Sequence, residues 1–102
     1  MDDVDEATRD AIQAAAFRRL QRHLLEDRAD VQNIDLMILA GFCRNCLADW
    51  LREAAGERGL AMDKAAGRDA FYGDFAGWKA ARQREATPEQ LAAFAAASRA
   101  HS

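Results

Sequence analysis

Residues 33–55 read NIDLMILAGFCRNCLADWLREAA, and the order of apolar and polar positions along them decides the fold. At about 100° per residue, Leu36, Leu39, Cys43, Cys46, Leu47, Trp50 and Ala54 share one face, an apolar stripe at helical spacing over the whole stretch. A second row, Ile34, Ile38 and Phe42, lies on the opposite side in the first half only. Beyond it that side turns polar with Asn45, Asp49 and Arg52. The pattern predicts one helix over 33–55, capped by Asn33 and stopped by Gly56 and Gly59, with its first half enclosed all round. Gly41 sits in that half and would let another backbone come close.

On the N-terminal side, a first helix is expected from Asp5 to Glu26, with Asp2, Asp3, Asp5 and Glu6 at the positive end of its dipole. Ile12, Ala16, Phe17, Leu20 and Leu24 form its expected buried arc, with Gln13 inside the arc and His23 at its edge. Asp27-Arg28-Ala29-Asp30 is a polar break. On the C-terminal side, Asp63 caps a helix to about Phe71, Gly73 ends it, and Asp74 caps another through Trp78 to about Arg84. Thr87-Pro88-Glu89-Gln90 combines an N-cap Thr, a Pro at the first helical position and a Gln at the third, the signature of a capping box. The last helix carries Leu91, Phe94 and Ala95 and frays through Arg99 and His101. The expected fold is all-α: a compact multi-helical bundle of about five helices around the central helix at 33–55, in one domain over 1–102.

Composition agrees. Of 102 residues 24 are Ala, the best helix former, and one is Pro. Ala buries little area at about 25 cal/mol per Å², so burial from self-association is expected to add to a modest core. The net charge of −3 argues against general nucleic-acid affinity, because phosphate binding needs a concentrated positive field. Arg18, Arg19 and Arg22, and again Lys79, Arg82 and Arg84, cluster but are diluted by nearby acids. Met1-Asp2-Asp3-Val4-Asp5-Glu6 lacks the form of a signal peptide, and the longest apolar run, Leu36 to Cys43, is far short of the roughly 20 residues of a membrane span. The expected location is the cytoplasm, with no membrane partner.

Cys43 and Cys46 carry the most distinctive chemistry. A Cys-x-x-Cys pair is redox-active at a helix N-terminus, where free N–H groups and the dipole favour the thiolate. In an unbroken helix over 33–55 the pair lies more than two turns inside, and the redox reading requires Gly41 to break the helix. As metal ligands the two thiolates make half of a tetrahedral site for zinc or iron, with His23 as a candidate third donor. As packing they continue the apolar stripe, which is the expectation adopted, with no cofactor. Arg44 and Asn45 fall off the stripe. Arg44 is expected to pair with Asp35, Asp49 or an acid of a neighbouring chain, and an enzyme cleft built on Arg44 and His23 rests on residue types alone. No Ser/His/Asp set, phosphate loop or paired-carboxylate site can be assembled, so an enzyme is not the favoured reading.

Asn33-Ile34-Asp35-Leu36, Ala40-Gly41-Phe42-Cys43-Arg44-Asn45-Cys46-Leu47, Trp50, Tyr72-Gly73, Trp78-Lys79 and Ala86-Thr87-Pro88-Glu89-Gln90 together resemble a family of short bacterial proteins, domain of unknown function 1244. The likeness covers nearly the whole chain. It implies a compact multi-helical fold, an oligomer, and a proteobacterial cytoplasmic setting; it implies no activity and carries over no functional residue. Asp74-Phe75-Ala76-Gly77 departs from it where a proline-containing turn is expected. The expectation that follows is a self-associating structural or interaction module, meeting its own copy through Ile34, Ile38, Gly41, Phe42, Arg44 and Asn45. The alternatives are a metal or thiol site at Cys43 and Cys46, or an enzyme.

Overall fold

The structure, a computed structural model, describes residues 1–100, with the side chain of Ala100 left aside. Among the described residues there are six α-helices and no strand: α1 (Glu6–Arg22), α2 (Asn33–Ala40), α3 (Arg44–Glu57), α4 (Lys64–Tyr72), α5 (Phe75–Arg82) and α6 (Pro88–Ala100). His101, expected in a frayed end, lies outside them.

Local signals account for most boundaries. Asp5, Asp63 and Asp74 each accept an amide N–H in the first turn of the helix that follows, from Thr8, Ala66 and Gly77 respectively. The capping box forms with both arms: Gln90 N–H donates to Thr87 Oγ1 at 3.1 Å, and Thr87 N–H donates to Gln90 Oε1 at 2.8 Å. Where the family resemblance led to expect a proline turn, Asp74 caps α5 directly.

Two boundaries differ from expectation. The helix expected over 33–55 is two helices: Gly41 takes φ +77°, a left-handed backbone that ends α2, and Cys43 follows in an extended conformation before α3 begins at Arg44. Nothing lies within 4 Å of where a Cβ on Gly41 would sit, so the residue is required by its backbone angle and not by a close neighbour. The close approach occurs instead at Gly67 in α4, where a Cβ would run into the Arg52 side chain of α3 and reach 3.3 Å from the Ala48 carbonyl oxygen. Secondly, Gln32 and not Asn33 holds the N-cap position of α2, without a side-chain capping bond, and the Asn33 side chain is engaged elsewhere.

The end of α1 is also unusual. From His23 to Asp27 the helix widens into a π turn, in which Arg28 N–H donates to His23 O at 2.7 Å. That fifth-neighbour bond leaves the Leu24 carbonyl without its usual helical donor.

The core is small. Leu24, Leu47, Ala48, Phe71 and Tyr72 form its buried centre, with Phe17, Leu25, Leu36, Phe42, Leu51, Phe75 and Trp78 packed around them. Aromatic rings run through it edge to face: Phe17 to Phe71 at 6.3 Å and Phe71 to Tyr72 at 5.4 Å between centroids. The helix α6 lies along α2, tied by Gln90 Nε2 donating to Asp35 Oδ1 at 2.9 Å. The Gln32 amide clips the segment before α6, donating to Arg82 O and accepting from Arg84 N–H.

The arc expected to bury α1 is mostly open. Among the described residues no side chain of α1 is fully buried; Phe17 is half-buried, while Ile12 is 45% and Leu20 37% exposed. The radius of gyration is 15.7 Å, against about 13 Å for a typical 100-residue domain, and the molecule extends over 48 × 31 × 27 Å. Among the described residues no helix is long and apolar enough to cross a membrane.

Because an alanine at position 41 must hold the left-handed angle, Gly41→Ala is expected to lower stability by about 1–2 kcal/mol in urea titration with an unchanged denaturant slope.

Candidate functional site

The break at Gly41 places the distinctive segment at a helix start and turns its polar residues inward. Arg44, the first residue of α3, is 0% exposed. Its Nε donates to the Leu24 carbonyl, Nη1 to Asn33 Oδ1 and Nη2 to the Arg28 carbonyl, each at 2.9 Å. The guanidinium carbon sits 4.7 Å from the centre of the Trp78 ring, and Trp78 Nε1 donates to the Leu25 carbonyl at 3.2 Å. The carbonyls exposed by the π turn are therefore closed by Arg44 and Trp78, from segments 20 and 53 residues further along.

The partners expected for Arg44, Asp35 or Asp49, are not the ones it has. Asp35 accepts from Gln90, and Asp49 from Arg52 at 3.4 Å. Two backbone carbonyls and the Asn33 amide oxygen serve because the fork of donors spans all three at once, whereas no carboxylate among the described residues lies inside the core. A buried cation costs several kcal/mol in lost hydration, and each hydrogen bond from a charged donor returns roughly 1.5–3 kcal/mol. Three such bonds plus the Trp78 face and the negative end of α1 offset the burial. Burial still pulls the Arg44 pKa below its usual value.

Around Arg44 the polar groups form one connected set. Asn33 Oδ1 also takes the Arg44 backbone N–H at 3.4 Å, which fixes the amide so that Asn33 Nδ2 faces the Tyr72 hydroxyl at 3.3 Å. Tyr72 O–H donates to Asn45 Oδ1 at 2.9 Å, and Arg68 Nη1 donates to the Asn45 carbonyl at 2.9 Å. Among the described residues no buried side-chain nitrogen or oxygen lacks a partner. Burial raises the Tyr72 pKa above its ordinary 10.0, against the pull of Asn33 and Arg44.

The cysteines flank this set. Cys43 is the N-cap of α3 and is 7% exposed; Cys46 follows at the third helical position and is half-buried. Burial pushes the Cys43 thiol above its ordinary 9.0, the amides of Cys46 and Asn45 pull it down, and the Cys46 thiol beside it pushes it up again. The position that the redox reading requires is the one the chain adopts.

The other candidates are scattered. His23 stands on the surface with Nδ1 3.5 Å from Asp27 Oδ2. Among the described residues no three His, Cys, Asp or Glu side chains come together as metal ligands would. Arg44 and His23 form no shared cleft, since Arg44 has no face open to solvent. As contact residues for a second copy, Arg44 and Asn45 are already engaged within the chain. Phe42 packs on the core, Ile34 lines a small cavity of about 180 Å³ with residues 83–86, and Ile38 is half-buried. The sequence reading did not foresee the parts played by Asn33, Arg68 and Tyr72. The available signal was a lone Tyr among apolar aromatics, whose hydroxyl needs a partner when buried.

A family model described as protein of unknown function (DUF1244) matches residues 31–96. The chain belongs to the DUF1244 family. The DUF1244 span takes in Asn33, both cysteines, Arg44, Asn45, Arg68, Tyr72 and Trp78, while the Leu24 and Arg28 carbonyls that Arg44 grips lie before it. No curated protein matches the chain.

Two outcomes are expected. Arg44→Lys keeps the charge but cannot reach three divergent oxygens, so urea titration should show a loss of roughly 2–4 kcal/mol. Cys43 and Tyr72 hold their protons more tightly folded than unfolded. Their contribution is complete below the unfolded values of 9.0 and 10.0 and is lost as pH rises through the folded ones. The urea midpoint should therefore fall above about pH 9, with the earlier part of the fall absent in Cys43→Ala.

Proposed function

We propose that this DUF1244 protein is a helical assembly module that forms a two-fold dimer through α1. The observation that carries this is the arc Ile12, Ala16 and Leu20: it repeats at the spacing of a buried helix face, yet all three residues are exposed in the single chain. Monomers seldom leave such a stripe open without a partner.

The occupant proposed is a second copy, because the charges of α1 are arranged for antiparallel self-pairing. Asp2, Asp3, Asp5, Glu6 and Asp10 crowd its N-terminal end, and Arg18, Arg19 and Arg22 its C-terminal end. A two-fold axis across the middle of the helix sets each acidic end against the basic end of the other copy. The elongated shape supports the same reading, since a second copy adds the burial that the small core lacks. The setting proposed is the cytoplasm, with neither nucleic acid nor membrane as partner.

Sedimentation velocity at micromolar concentration should give a dimer, and the double variant Ile12→Glu, Leu20→Glu should give a monomer with unchanged helicity by circular dichroism. A wild-type chain that stays monomeric as concentration rises would overturn the proposal.

A further inference from the structure

The segment between α2 and α3 offers chemistry that an assembly role does not use. Cys43 and Cys46 bracket the first turn of α3, a helix of 14 residues, with Cys43 at its N-cap and Cys46 at its third position. A disulfide needs Cα atoms about 4.4–6.8 Å apart, which residues three apart in one turn of 5.4 Å pitch satisfy. The pair is asymmetric: Cys43 is buried at 7% exposure, whereas Cys46 is only half-buried. One turn beyond Cys46 on the same face stands Trp50, 50% exposed and 6.0 Å from the Phe42 ring, and Leu39 at the end of α2 is 85% exposed. Cys46, the more accessible of the two cysteines, thus shares a helix face with the exposed Trp50, while Cys43 is buried.

We infer that Cys43 and Cys46 form a dithiol that exchanges with disulfides of small peptides, Cys46 as the entering thiol and Cys43 as the resolving one. The Cys46 thiol gives its proton to solvent and its sulfur attacks one sulfur of the substrate. The substrate S–S bond breaks, and the first substrate thiolate leaves and takes up a proton. Cys43 then loses its proton, and its sulfur attacks Cys46 Sγ in the mixed disulfide. The Cys43–Cys46 bond forms as the second substrate thiolate departs and is protonated. The protein dithiol is oxidised by two electrons and one substrate disulfide is reduced to two thiols. Cys43 stands at the N-cap of α3, so the positive end of that helix supports its anion in the second step. Gly41 is part of the site in a geometric sense, since its left-handed angle starts α3 at the cysteines and not two turns earlier.

The test uses the full chain under native conditions with glutathione disulfide, a small peptide disulfide, as probe. Mass spectrometry should show loss of both thiols as an internal disulfide, without a stable adduct. Cys43→Ser should stop as a mixed disulfide carrying one glutathionyl group on Cys46, and Cys46→Ser should not react. Each variant is checked for native helicity by circular dichroism, and the wild-type result needs no variant. If both wild-type thiols survive the probe and react only in urea, the pair is packing and the inference is overturned. An adduct retained on Cys43 would overturn it as well. The monomeric double variant of α1 should exchange as the wild type does, so failure of the dimer and failure of this site are told apart.

Discussion

The structure depends on one inward-facing cation. Arg44 starts α3, yet its fork closes carbonyls at the end of α1 and the amide of Asn33 at the start of α2, so three helix ends converge on one side chain. A positive charge in the first turn of a helix opposes that helix's own dipole, at a cost of about 0.3–1 kcal/mol. The three hydrogen bonds to buried oxygens outweigh it. The π turn is the counterpart of this arrangement: a regular helix would have used the Leu24 carbonyl internally and left the guanidinium one acceptor short.

What holds Arg44 also holds the thiols. Cys43 precedes it by one peptide bond, and Asn45, which follows, is fixed on both its carbonyl and its side chain by Arg68 and Tyr72. The first turn of α3 is therefore held on the side facing the core, while Cys46 is half-buried and Trp50, one turn further on, is exposed. Rigid support beneath and access above is the arrangement a reactive side chain needs, and it arises here from ties that also stabilise the fold.

Much of this was legible in the sequence. The helical class, the Asp63 and Asp74 caps, the stop at Gly73 and the box at Thr87-Pro88-Glu89-Gln90 follow from local chemistry, and local chemistry decided them. The long apolar stripe is misleading because its period runs on across a joint: Cys43 and Leu47 are buried, whereas Leu39 before the joint is 85% exposed. Gly41 matters through its left-handed backbone angle and not through clearance for a neighbour. Arg44 could not be resolved from spacing, since two of its three acceptors are backbone oxygens, which every residue carries and no sequence advertises. Of the arc on the first helix, Leu24 and Phe17 reach the core while Ile12, Ala16 and Leu20 stay exposed, because periodicity reports that a face wants burial and not which surface supplies it.

The ties that lock the helices span long stretches of chain: Gln21 to the Phe71 carbonyl across 50 residues, Gln32 to the Arg82 carbonyl across 50, and Trp78 to the Leu25 carbonyl across 53. Helices of this composition form within about a microsecond, but loops of that size must close before any of these bonds can be made. For a chain built wholly of helices, assembly is then governed by long-range search more than by local winding. The helices are ready early, and the molecule acquires its shape when the ends of α1, α3 and α5 meet.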